Sequence, residues 1–184
     1  MIKPVMTILW MALPGALLFA GEGGTMFQFN DQRFELKHAY AFEMETPDFE
    51  AMTPEDFQGG PEKMKWKKAL AIALSDQTFD AEALAKADPP FEALDRMVEG
   101  GAVMVTVAAG KKGGVDLVRV SLPRSTTALE LDTKTAELTL EGPKAGKLSG
   151  RLVIKGDRKM HEFDPEHIPF VEADIGFTAV APSR

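Results

Sequence analysis

Apolar and polar residues alternate with a period of two over most of the chain beyond residue 25, the signature of strands with one buried face. MFQFN (26–30), a polar turn at Asn30-Asp31-Gln32, and RFELKHAYAFE (33–43) read as a hairpin. In its second strand Phe34, Leu36, His38, Tyr40 and Phe42 fall on one face, and Arg33, Glu35 and Lys37 on the other. WKKALAIALSD (66–76) is a strand of a different kind. Leu70, Ile72 and Leu74 line one side, and only Ala69, Ala71 and Ala73 the other, a thin surface suited to a helix packed closely against it. Helices are expected next. Asp80 is placed to cap one that stops before Asp88-Pro89-Pro90, and PFEALDRMVEGG (90–101) opens on Pro and ends in Gly100-Gly101. Leu84, Phe91, Leu94, Met97 and Val98 form the stripe to be buried.

Strands resume at 102–109 and 115–122 around GKKGG, at 127–131 and 136–142 around Asp132-Thr133-Lys134, and at 147–156 and 171–180 around a longer connection. In the last strand Val171, Ala173, Ile175, Phe177 and Ala179 face one way, and Glu172, Asp174 and Thr178 the other. Short connections imply antiparallel neighbours. The expectation is an α+β, mainly β fold: a curved antiparallel sheet or partly closed barrel of about nine strands, with two short helices between the early and late strands.

Two segments depart from this pattern. Residues 44–65 form a charged insertion with a near-repeat, TPDF against TPEDF, each combining Thr, Pro and an acid as helix starts do. Its acidic first half faces a run of Lys63, Lys65, Lys67 and Lys68, so the two halves are expected to neutralise each other as a solvated loop. The N-terminus has a single Lys3, an uncharged, mostly apolar run from Pro4 to Ala20, and small residues at its exit. This is the plan of a secretory signal peptide, with cleavage near Ala20 and a single domain over 21–184. Pro14-Gly15 and the short run disfavour a spanning anchor, and without cysteine there is no lipid attachment through an N-terminal thiol.

Composition narrows the functions. The net charge of −7 gives no electrostatic reason to approach phosphates, so nucleic acid is an unfavourable partner. The absence of Cys removes thiol nucleophiles, disulfides and iron–sulfur ligation. Asn30, the sole asparagine, is not in a glycosylation sequon. These features suit a bacterial periplasmic or extracellular protein.

The densest candidate chemistry is KMHEFDPEHIPF (159–170), with His161, Glu162, Asp164, Glu166 and His167. Imidazole and carboxylate together suit zinc, nickel or copper. The spacing is not the H-E-x-x-H pattern of a helix face, and Pro165 and Pro169 argue against a helix. Extended, the two histidines would stand about 20 Å apart at ~3.3 Å per residue. A turn at Asp164-Pro165-Glu166-His167, with Pro at its favoured second position, would bring them closer. His161, Asp164 and His167 are therefore the candidate metal ligands, with His38 a further one. The alternative is a polar connection between strands, and for His38 a hydrogen-bonded position beside the core. No serine lies in a nucleophile motif, GKKGG lacks the phosphate-loop frame, and Ser75-Asp76 at a strand end reads as turn and cap chemistry. Met44 and Met52 lack the close repeated spacing of a copper(I) site.

LKHAYAF (36–42), ALAIALSD (69–76), GKLSGRLVIKG (146–156) and VEADIGFTA (171–179) resemble segments of uncharacterised secreted bacterial β-rich single-domain proteins. The resemblance implies a secreted β domain and no activity. The expected function is that of an exported, soluble, non-catalytic domain that binds an unidentified small molecule or protein or has an envelope-associated structural role, without catalytic residues or a cofactor. The rival expectation is a metal-binding protein or metal-dependent hydrolase holding zinc or a similar divalent ion at the 161–167 loop.

Overall fold

The computed structural model describes residues 24–48, 51–58, 63–87, 90–110, 114–125, 128–144 and 146–180. The proposed leader and its cleavage site lie outside these residues, as do Lys111 to Gly113 of the GKKGG turn. In chain order the elements are β1 (Thr25–Phe29), β2 (Gln32–Glu35), β3 (His38–Pro47), α1 (Pro54–Gln58), β4 (Trp66–Ser75), α2 (Ala81–Lys86), α3 (Pro90–Glu99), β5 (Met104–Ala109), β6 (Val115–Ser121), β7 (Leu129–Glu130), β8 (Ala136–Lys144), β9 (Lys147–Ile154), α4 (Arg158–Phe163) and β10 (Val171–Val180).

The fold is mainly β. Its strands form two five-stranded antiparallel sheets, ordered β8-β9-β10-β1-β2 and β3-β4-β5-β6-β7. A single parallel bridge, Val180 to Tyr40, joins them at one corner. Among the described residues there are ten strands, where about nine were expected. The architecture is two sheets sharing a core, with no closed barrel. That core joins Phe27, Ile175 and Leu152 of the first sheet to Ile72, Leu74, Val105 and Val118 of the second.

Two crossovers explain the difference. The expected continuous strand 33–43 breaks at Leu36-Lys37, where the chain leaves the first sheet for the second. The break changes the parity of the side chains. Phe34 and Leu36 belong to the shared core, but beyond the corner it is Ala39 and Ala41 that face it, and Tyr40, Phe42 and Met44 that turn to the opposite side. Likewise Asp132-Thr133-Lys134 is not a hairpin turn. Asp132 caps a 3-10 turn over 133–135 through Lys134 N–H (3.0 Å), β7 pairs with β6, β8 pairs with β9, and the chain changes sheets between them.

The alanine face of β4 has the role its sequence suggested. Ala69, Ala71 and Ala73 are buried with Phe42, Met44, Met104 and Ala108 beneath Leu84 of α2 and Leu94, Met97 and Val98 of α3. Asp80 caps α2 by accepting from Ala83 N–H at 2.9 Å. α3 ends as the Gly pair implied. Gly101 takes a left-handed φ of 106°, its N–H reaches the Val98 carbonyl, and Ala102 N–H reaches that of Met97, which satisfies two terminal carbonyls.

The insertion is shorter than its sequence suggested, because the first Thr-Pro, Thr46-Pro47, prolongs β3 to pair with Lys67-Trp66. The second starts α1, where Thr53 N–H donates to Asp56 and Asp56 N–H returns to the Thr53 hydroxyl. Lys65 closes the loop, 3.1 Å from Asp56 and donating to the Ala51 carbonyl at 2.7 Å, the neutralisation expected of the two halves.

Within the first sheet Phe177 lies across Gly150, its partner in register. A Cβ on Gly150 would stand 2.5 Å from the Thr139 carbonyl oxygen and 2.6 Å from the Phe177 ring. Backbone on one side and a core aromatic on the other leave little room to yield. Gly150→Ala is expected to destabilise the protein by about 1–3 kcal/mol, whereas Gly142→Ala, with nothing within 4 Å of its Cβ position, stays within about 0.5 kcal/mol of the original. Chemical denaturation of the two variants checks this.

Candidate functional site

The loop between β9 and β10 is partly helical, contrary to the expectation drawn from its prolines. Asp157 caps α4 by accepting from Met160 N–H at 3.0 Å, and both prolines fall after the helix has ended, where they break nothing. His161 sits in this helix. The turn expected at Asp164–His167 is present, with the Asp164 carboxylate accepting from the His167 backbone N–H at 3.3 Å and the Asp164 carbonyl from Ile168 N–H at 2.9 Å.

The histidines have separate partners. His161 is half-buried and donates from Nδ1 to the Ile168 carbonyl at 2.6 Å, its ring 6.3 Å from that of Phe170, over which the Arg158 guanidinium stands at 4.2 Å. His167 donates from Nδ1 to Asp164 Oδ1 at 2.9 Å, with 77 % of its side chain exposed. His38 lies at the margin of the helix-covered face, opposite Ser75 in register, with Nε2 3.5 Å from the Thr78 hydroxyl. Of the four candidate ligands the structure thus brings together Asp164 and His167. No cluster of three or more His, Asp or Glu side chains suited to a metal ion occurs among the described residues. The loop also fastens one end of the sheet. Phe170 N–H donates to Asn30 Oδ1 at 2.8 Å and Asn30 N–H to the Phe170 carbonyl at 2.7 Å, so the left-handed Asn30 of the β1–β2 turn (φ 52°) is tied to the start of β10.

Ser75-Asp76 has the structural role its position implied. Asp76 Oδ1 accepts from Val103 N–H at 2.9 Å, and the Ser75 hydroxyl accepts from Gln77 N–H at 3.1 Å, which holds the two ends of the α2–α3 excursion together.

A concavity lies elsewhere, on the outer face of the first sheet. It is an open depression of about 450 Å³ crossing β2, β1, β10 and β9. Met26 and Val153 provide its apolar surface, and Arg33, Lys155, Glu172 and Asp174 its charges. The residues stand in rows set by register. Arg33 is opposite Gln28, and Gln28 opposite Glu172; Met26 is opposite Asp174, and Asp174 opposite Val153. These are the outward-facing positions of alternating strands. Nothing in the sequence set them apart, because the pairing of β1 with β10 brings together residues about 145 positions apart.

Two of the charges are already paired. Arg151 grips Asp174 with Nε at 2.7 Å and Nη2 at 2.6 Å, and these hydrogen bonds hold the Asp174 carboxyl below its ordinary pKa. Lys155 reaches Glu137 at 2.7 Å and lowers that carboxyl in the same way. A smaller cavity of about 190 Å³ lies between α3 and β6, where Arg119 meets Asp95 at 3.4 Å.

The chain matches no protein-family model, no curated protein and no solved structure. No helix among the described residues is long and apolar enough to cross a membrane.

Because folding lowers the Asp174 pKa, the stability this carboxylate contributes is present above its unfolded pKa of about 3.9 and is lost as pH falls through the folded value. The pair is half exposed, so Arg151→Gln is expected to cost less than about 1 kcal/mol at pH 7. The gap to the original protein narrows steadily below about pH 4, and denaturation series at pH 7 and pH 3 measure it.

Proposed function

We propose that this chain is an exported, non-catalytic binding domain, and that its ligand or partner engages the depression on the outer face of the first sheet. The observation that carries the reading is the depression itself. Its volume, about 450 Å³, falls in the range of small-ligand sites, and it combines an apolar surface with a few charges, as such sites do. The side chains with catalytic or metal-binding chemistry are instead engaged in the architecture: His161 to a backbone carbonyl, His167 to the acid three residues before it, and Ser75-Asp76 to backbone N–H groups. Export is supported by the sequence of residues 1–20, and the acidic net charge speaks against nucleic acid as the partner.

The test is expression of the full-length chain in a bacterial host, mass measurement of the protein recovered outside the cytoplasm, and an NMR screen of that ¹⁵N-labelled protein. The expected mass is that of residues 21–184. Screened against amino acids, short peptides, sugars, short-chain fatty acids and Zn²⁺, the protein is expected to show amide shifts grouped on β1, β9 and β10 around the depression. Retention in the cytoplasm contradicts export. Stoichiometric zinc binding centred on His161–His167 contradicts the location of the site and favours the metal-binding alternative.

A further inference from the structure

We infer that the depression is selective for a compact zwitterion, a free peptide of two or three residues, with the ligand's carboxylate on Arg33 and its ammonium on Glu172. The inference rests on the binding reading above and adds the ligand class. Four charged side chains line the depression, and two are taken: Asp174 by Arg151 and Lys155 by Glu137. Arg33 and Glu172 are the other two, opposite in sign, and neither has an ion-pair partner among the described residues.

Their spacing follows from the register. Arg33 on β2 and Glu172 on β10 flank Gln28 of β1 in one cross-strand row. Two strand spacings of ~4.8 Å put their Cα atoms roughly 10 Å apart. Gln28 does not bridge them, since its side-chain amide donates to the Asn30 carbonyl at 2.7 Å. At ~3.3 Å per residue, a chain of two or three residues spans roughly 7–10 Å between its terminal charges, a length that a single amino acid lacks. Met26, 43 % exposed, and Val153 lie in the next row and offer apolar contact to a side chain of the same ligand. A purely anionic or cationic ligand would satisfy one of the two free charges and meet the other as a repulsion.

The experiment uses the exported full-chain product and the tripeptide Ala-Leu-Ala with free ends, titrated by ¹⁵N NMR beside its N-acetylated, C-amidated form. The free peptide is expected to shift the amides of Met26, Gln28, Arg33, Val153 and Glu172. The capped peptide is expected to leave them unmoved. Arg33→Gln and Glu172→Gln each weaken the free peptide about three- to tenfold, the loss of one exposed charge-assisted contact. Both residues are exposed, so the variants keep the spectrum of the folded protein. If capped and free peptides bind alike, or the variants bind as the original does, the zwitterion inference falls while the depression stands as a site. If a sugar or fatty acid shifts those amides and the peptide does not, the inference falls in the same way. If nothing shifts them, both readings fall together.

Discussion

β4 is buried from both sides, and much of the structure depends on how thin it is on one of them. Ala71, Ile72, Ala73 and Leu74 are fully inaccessible, the branched residues facing the other sheet and the alanines facing α2 and α3. A sheet face lined by methyl groups lets Leu84 and Leu94 come down onto it, and larger side chains there would lift the helices away. The same excursion places Asp76 where it ties β4 to the chain entering β5. With the second sheet covered by helices, its inner face is free to form the core with the first sheet.

Among the described residues the first sheet is covered on one side only. Its outer face carries alternating charges and hydroxyls: Arg151 with Asp174, Lys155 with Glu137, Ser149 beside Thr178. These pairs are exposed and contribute little to stability, but they set which charges are taken and which are left to meet a ligand. The depression therefore lies on the face that folding does not need. Gly150 shows how close the inner side of the same sheet is packed, since Phe177 occupies the space a side chain would fill.

What was legible in the sequence was local. The two-sided pattern of β4, the Asp80 cap, the Gly100-Gly101 stop and the alternation of β10 each depend on neighbours a few positions away, and each appears where the pattern put it. Leu36-Lys37 and Asp132–Thr135 were harder, because the residues of a corner between sheets look like those of a strand or a hairpin turn, and only the pairing partners differ. The histidine loop shows the converse problem. Close spacing in sequence suggested a shared ion, but a short helix and a turn send the imidazoles to different acceptors. The depression was not legible, since Glu172 joins Gln28 and Arg33 of the β1–β2 hairpin only through the β1–β10 pairing.

The two outer faces differ: one is closed by close packing on small residues, and the other is open among the described residues and structurally dispensable. The most direct measurement compares the unfolding free energies of Ala71→Leu and Thr178→Leu, a matched pair of additions on the two outer faces. Overpacking beneath the helices is expected to cost the first about 1–3 kcal/mol or more, while the second, on an exposed position, stays within about 0.5 kcal/mol of the original. Equal losses, or a tolerated Ala71→Leu, would contradict the account.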